Sequence, residues 1–224
     1  MTNDIRNLLA ARILLLDGGF GTMVQGYGLD EADYRGERFR DWNVQLKGCN
    51  DLLALTRPDT VREIHEKYLQ AGADIITTDS FNANAVSLAD YGLEPYACEI
   101  ARAAASVARA AAGVARSAAD EFTARNPLKP RFVAGSMGPT NRTASMSADV
   151  ANPASREVTF RQLADAYREQ ARGLLDGGAD ILLIETVFDT LNAKAALWAV
   201  DALCAERGCS VPIMVSGTLA DASG

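Results

Sequence analysis

Two stretches of this chain repeat one pattern of apolar and polar positions: YLQAGADIITTDSF, residues 68–81, and GLLDGGADILLIETVFD, residues 173–189. Each reads as a helix tail, a Gly-Ala-Asp turn and a short run that is apolar on both faces before it turns polar. Glycine suits the helix end because it accepts a left-handed backbone without a side-chain clash. An apolar run of strand length, with no alternation, is the mark of a parallel strand covered by helices. Three more runs fit that description: ILLL from Ile13, RFVAGS from Arg131 and VPIMVS from Val211.

Helical patterns fill the intervals. They are predicted over Pro58–Gln70, over the alanine-rich Pro95–Phe122, over Ser155–Asp176 and over Leu191–Arg207. Small alanine side chains let a helix lie close on a sheet. Strand and helix alternate throughout, so successive strands run parallel through right-handed crossovers. This α/β pattern allows a doubly wound open sheet or a (β/α)8 barrel, and about five βα units are present where a barrel needs eight.

In either fold the carboxyl ends of the strands carry the chemistry. Those ends hold Asp17, Gly18 and Gly19; Thr77, Thr78, Asp79 and Ser80; Ser136, Gly138 and Pro139; Glu185 and Thr186; and Ser216, Gly217 and Thr218. The stretch ILLLDGGFGT places a carboxylate where a buried strand ends and strips the next positions of side chains. It is not a dinucleotide fingerprint, because no third glycine follows Gly21, and no Walker lysine is present. A carboxylate before the glycines would also repel a pyrophosphate. On the residues alone three readings of Asp17 stand: a turn cap, one of two carboxylates holding magnesium among oxygen ligands, or one of two carboxylates, with Glu185, that grip the ammonium of a small zwitterion while amides and hydroxyls take its carboxylate.

Composition narrows the class. The 224 residues are 48% hydrophobic with a formal net charge of -7, and the 22 basic residues are scattered, so no basic face suits nucleic acid. No apolar run approaches the roughly 20 residues of a membrane span, and the N-terminus lacks the features of a secretory signal. A cytoplasmic protein is expected, with Cys49, Cys98, Cys204 and Cys209 reduced and structural or incidental. The single histidine, His65, is placed near a helix C-terminus, where a positive charge is favoured, and away from the strand tips.

Longer motifs sharpen the picture. LDGGFGTM, LDEADYRGERFRDW, LKGCNDLL, AGADIITTDSFNAN, GSMGPTNRTASMS, GGADILLIETVFDTLNAKAA and SGTLADASG run from about residue 12 to the end. Together they closely resemble the N-terminal homocysteine-binding domain of cobalamin-dependent methionine synthase. The resemblance implies a (β/α)8 TIM barrel, incomplete in this chain and cut before the zinc-ligand strands, with residues 1–224 forming the first part of that domain. It implies that homocysteine binds at the carboxyl face, with Asp17 and Glu185 on its ammonium, Gly18 and Thr78 on its carboxylate and Ser136 at the same mouth. Zinc would hold the sulfur and methylcobalamin would supply the methyl group, itself renewed from methyltetrahydrofolate. Folate, cobalamin and activation domains would follow in the full-length chain. The family's zinc ligands are cysteines in later strands, and none of this chain's four cysteines falls at a ligand position. A fragment of this kind is expected to expose the edges of its first and fifth strands and to be unstable or to self-associate. Enzymes that use betaine or S-methylmethionine, a non-catalytic amino-acid-binding module and an unrelated barrel lyase are the alternatives.

Overall fold

The computed structural model describes residues 5–111, 129–147 and 149–219. In chain order the elements are α1 (Ile5–Ala11), α2 (Phe20–Gln25), α3 (Glu31–Arg35), α4 (Leu53–Thr56), α5 (Pro58–Ala71), β1 (Ile75–Thr77), α6 (Ala85–Leu88), α7 (Ala97–Ala111), β2 (Phe132–Met137), α8 (Phe160–Asp176), β3 (Ile181–Val187), α9 (Thr190–Arg207) and β4 (Ile213–Gly217). Short 3-10 turns precede α4 and α7.

The four strands form one parallel sheet in the order β1-β2-β3-β4. A doubly wound sheet reverses its strand order at a switch point, and no reversal occurs here. The two faces differ in the same sense. Leu182 and Ile184 join the large cluster built with α7, α8 and α9, whereas Ile75, Phe132, Ala134, Ile181 and Leu183 pack on the opposite face with Ile5 and Leu8 of α1. Long helices on one face and consecutive parallel strands are the arrangement of successive staves of a barrel, although the described sheet is open. Among the described residues, no helix is long and apolar enough to cross a membrane.

Local chemistry sets the boundaries. Helix α5 begins with Pro58 at its first position and ends at Gly72, whose φ of 111° is left-handed. Helix α9 is capped by Asp189, which accepts from the amides of Leu191 and Asn192. Helix α8 starts at Phe160, five residues later than its pattern suggests, because Thr159 and Gln162 form a reciprocal capping box. Helix α7 starts at Ala97; the part of its predicted span over residues 112–128 lies outside the described residues. Its close neighbour is α8 rather than the sheet, since a Cβ at Gly173 would stand 2.4 Å from the Cys98 carbonyl oxygen.

The Gly-Ala-Asp repeat has a structural counterpart. Asp74 accepts the amide of Leu15 at 2.9 Å and donates its own amide to the Leu15 carbonyl at 2.7 Å. Asp180 does the same to Val133, at 2.9 Å for both bonds. Each turn therefore pins the start of a strand to the segment before it. The first predicted strand is reduced: instead of a strand from Ile13, a single parallel bridge joins Leu16 to Ile75. Ile13 is 85% exposed, and at the other edge Val215 of β4 is 56% exposed.

Candidate functional site

A cavity of about 450 Å³ opens at the carboxyl ends of the strands, lined by Asp17 to Gly21, Thr77 to Asn82, Ser136, Glu185 and residues of the 48–51 turn. Asp17 stands where the first segment meets β1. Its Oδ2 accepts from the Thr77 amide at 2.7 Å, and the Thr77 hydroxyl donates to Oδ1 at 3.0 Å. Glu185 reaches the same mouth from β3, and its Oε1 accepts a short hydrogen bond from the Ser136 hydroxyl. Burial above all, and then the charge of Glu185, push Asp17 up to about 7 against the lowering effect of its Thr77 bonds. Burial raises Glu185 as well.

A bulge places Glu185. Ile184 pairs with Val215 and Val187 with Gly217, so β3 carries one residue more than β4 over this interval. Thr186 takes up the excess in a left-handed conformation, φ 58°. Glu185 thus lines the cavity while Val187 packs among the helices.

A second acidic pair lines the same cavity. Asp51 accepts the Asn82 amide at 2.7 Å, and burial pushes it up to about 6. Asp79 is held well above the ordinary carboxylate range by burial and then by Asp51, and its Oδ2 has no hydrogen-bond partner. No lysine, arginine or histidine is among the described residues that line the cavity.

All five residues predicted for the site, Asp17, Gly18, Thr78, Ser136 and Glu185, line this one cavity. Their availability differs. Thr78 is buried; its amide donates to the Ala134 carbonyl, and its hydroxyl meets Ser80 Oγ at 2.6 Å and accepts the Ser136 amide at 2.9 Å. Gly18 lies against Tyr68, whose hydroxyl donates to the Gly19 carbonyl at 3.2 Å; a Cβ on Gly18 would stand 3.2 Å from that hydroxyl. The glycine therefore serves a close approach. Asp79 is legible only as one polar strand end among several, and Asp51 gives no signal beyond an acid opening the apolar run DLLAL.

His65 requires a correction. It is not at a charged helix end but fully buried in α5, its ring 5.3 Å from that of Phe20 and both nitrogens without partners. Burial lowers it to about 3, so it is a neutral core ring. Cys49 is buried beside the cavity, its thiol raised by burial and then by Asp51, so it is not a ready thiolate. Among the described residues no group of three or more His, Cys, Asp or Glu is placed to hold a metal ion.

The family model for homocysteine S-methyltransferase matches residues 14–224. Among solved structures, the chain is similar to the homocysteine methyltransferase MmuM from Escherichia coli. The oxidised form matches at a TM-score of 0.69 and 24% identity, covering 98% of this chain and 67% of that one. The metallated form matches at 0.68 and 24%, covering 97% and 67%. At that identity the likeness speaks to the fold, and the chain spans about two thirds of the length of those it matches.

Proposed function

Because this chain belongs to the homocysteine S-methyltransferase family, we propose that its mouth binds homocysteine by the amino-acid head, with Asp17 and Glu185 on the ammonium. The observation that carries this reading is the convergence of those two carboxyls in a cavity whose described lining has no basic side chain. A buried carboxylate without a cation is costly, and a ligand ammonium relieves that cost when it enters. The substrate carboxylate is assigned to the Gly18 amide, with Thr78 and Ser136 shaping the wall beside it. Ser136 holds the Glu185 carboxylate in place through its hydroxyl.

The role of the parent protein is proposed to be that of the cobalamin-dependent methionine synthase type, with folate and cobalamin domains as partners; the stretches GERFRDW and NRTAS support it. Zinc, which activates a thiol by removing its proton, does not fit the residues described. The cavity lining offers carboxylates but neither cysteine nor histidine, and among the described residues no three of His, Cys, Asp or Glu are grouped to supply the three protein ligands of a catalytic zinc. What these residues perform is recognition and orientation of the amino-acid head.

Calorimetric titration of the chain with homocysteine tests the reading. Asp17→Asn is expected to weaken binding by about 100-fold, the loss of a partly desolvated charge-assisted contact of roughly 3 kcal/mol. Unchanged affinity in a folded variant would refute the assignment.

A further inference from the structure

The last turn of α9 brings two thiols together away from the mouth. Gly208, at φ 61°, reverses the chain, and its amide donates to the Ala205 carbonyl at 3.4 Å. The Cys209 amide donates to the Cys204 carbonyl at 3.0 Å. Those two bonds define a Schellman motif, in which the side chains of its first and last residues come into contact. Here both contacting side chains are thiols. Cys204 is half-buried, Cys209 is exposed, and both are free.

We infer that Cys204 and Cys209 form a dithiol site that a small disulfide, such as oxidised glutathione, converts to an intramolecular disulfide. The geometry sets the order of events. Cys209 is the sulfur that solvent reaches, so its thiolate attacks one sulfur of the small disulfide and releases one thiolate. Cys204 then attacks the Cys209 sulfur of the mixed bond, and the second small thiolate leaves. The two thiol protons end on the two released thiolates, the protein sulfurs are oxidised by two electrons, and the small disulfide is reduced by two.

Cys204 suits the resolving role. Burial first, and then the hydrogen bond with the Cys209 thiol, raise it above the ordinary thiol range, so it reacts little until a sulfur is fixed beside it. Cys49, buried, and Cys98, on α7, stand apart from this motif. The product bond would staple the end of α9 to the segment that enters β4.

Peptide mapping decides the matter, because trypsin cuts between the two cysteines at Arg207. After incubation of the full chain with oxidised glutathione and alkylation, peptides 195–207 and 208–224 are expected as one joined species, lighter by two hydrogens than their reduced sum. Cys49 and Cys98 are expected to carry the alkyl label. The closed loop is short, so the melting temperature should rise by roughly 4–8 °C. Cys204→Ser should stop at a glutathione adduct on Cys209 and show no such rise. Wild-type protein that stops at the same adduct, or that joins any other pair of cysteines, overturns the proposal, and that mapping needs no variant to fold.

Discussion

At the amino end of the sheet, Asp74 lies between strands with each carboxylate oxygen 3.0 Å from an Arg12 guanidinium nitrogen, and with Lys129 and Arg131 at 3.8 and 3.9 Å. At the carboxyl end, among the described residues, Asp17 and Glu185 meet amides, hydroxyls and each other's charge but no cation. The consequences run in opposite directions. Despite burial, the Arg12 and Leu15 bonds and the nearby cations hold Asp74 below its ordinary range, while burial and Glu185 push Asp17 up to about 7. An acid that serves the fold is neutralised from within the chain. An acid left without a cation in a cavity is a place for a cation that comes from outside.

The largest effect expected from breaking this contrast is at Asp74. Asp74→Asn removes the carboxylate that pairs with Arg12 and that stands near the almost buried Arg131 side chain. Because the pair is partly buried, the loss should be about 3 kcal/mol of unfolding free energy, read by urea denaturation at neutral pH. Homocysteine affinity of the folded variant should stay as it was. A variant that keeps its stability but loses affinity would reverse the roles given to the two ends.

The second test uses pH, and the sign follows from the direction of each shift. A carboxyl raised in the folded state binds more protons there than in the unfolded chain between its two pKa values. Its contribution to stability is therefore present below the unfolded value and falls as pH rises from about 4 to about 7. Asp17→Asn removes that penalty, so the variant should gain relative to wild type across this window, by on the order of 2 kcal/mol for a half-buried group. Asp74 behaves oppositely: its stabilisation is present above the unfolded value and is lost as pH falls through the lowered one. Urea titrations of both variants at pH 4.5 and pH 7.5 measure the difference. Parallel curves for Asp17→Asn and wild type would remove the raised acid from the account.

Much of this was legible in the chain and some could not be. Helix ends were readable where a residue type carries the geometry: Pro58, Gly72 and Asp189 stand where their chemistry demands. The repeat of Gly-Ala-Asp was visible, but not that Asp74 and Asp180 each bind the amide of the preceding segment, since such pairing leaves no local pattern. An apolar run does not show whether its ladder is complete, so ILLL reads as a strand although a single bridge joins it to β1. Asp17 and Glu185 are visible because each closes an apolar run of the sequence. Asp51 and Asp79 are separated in the sequence by α4, α5 and β1, and only the folded chain shows that they line one cavity. His65 was misplaced for the same reason: the spacing puts it on a helix but does not show that its face is buried.

Backbone strain gives the smallest and most local test. The turns at the amino end of the sheet use glycine for left-handed conformations, at Gly72 and Gly178. Among the described residues, the non-glycine positions with positive φ are Thr140 and Thr186, which follow β2 and end β3 at the carboxyl side. A β-branched residue in that region costs about 1–2 kcal/mol, and it persists at Thr186 because the bulge lets Glu185 line the mouth and Val187 pack on the helices. Thr186→Gly removes the clash at some cost in chain entropy, so stability should rise by about 1 kcal/mol in urea denaturation. The glycine also frees the joint that aims Glu185, and calorimetry should therefore show weaker homocysteine binding by the more stable variant. If affinity holds while stability rises, Ser136 alone fixes the Glu185 carboxylate, and the strain at the carboxyl end has no part in recognition.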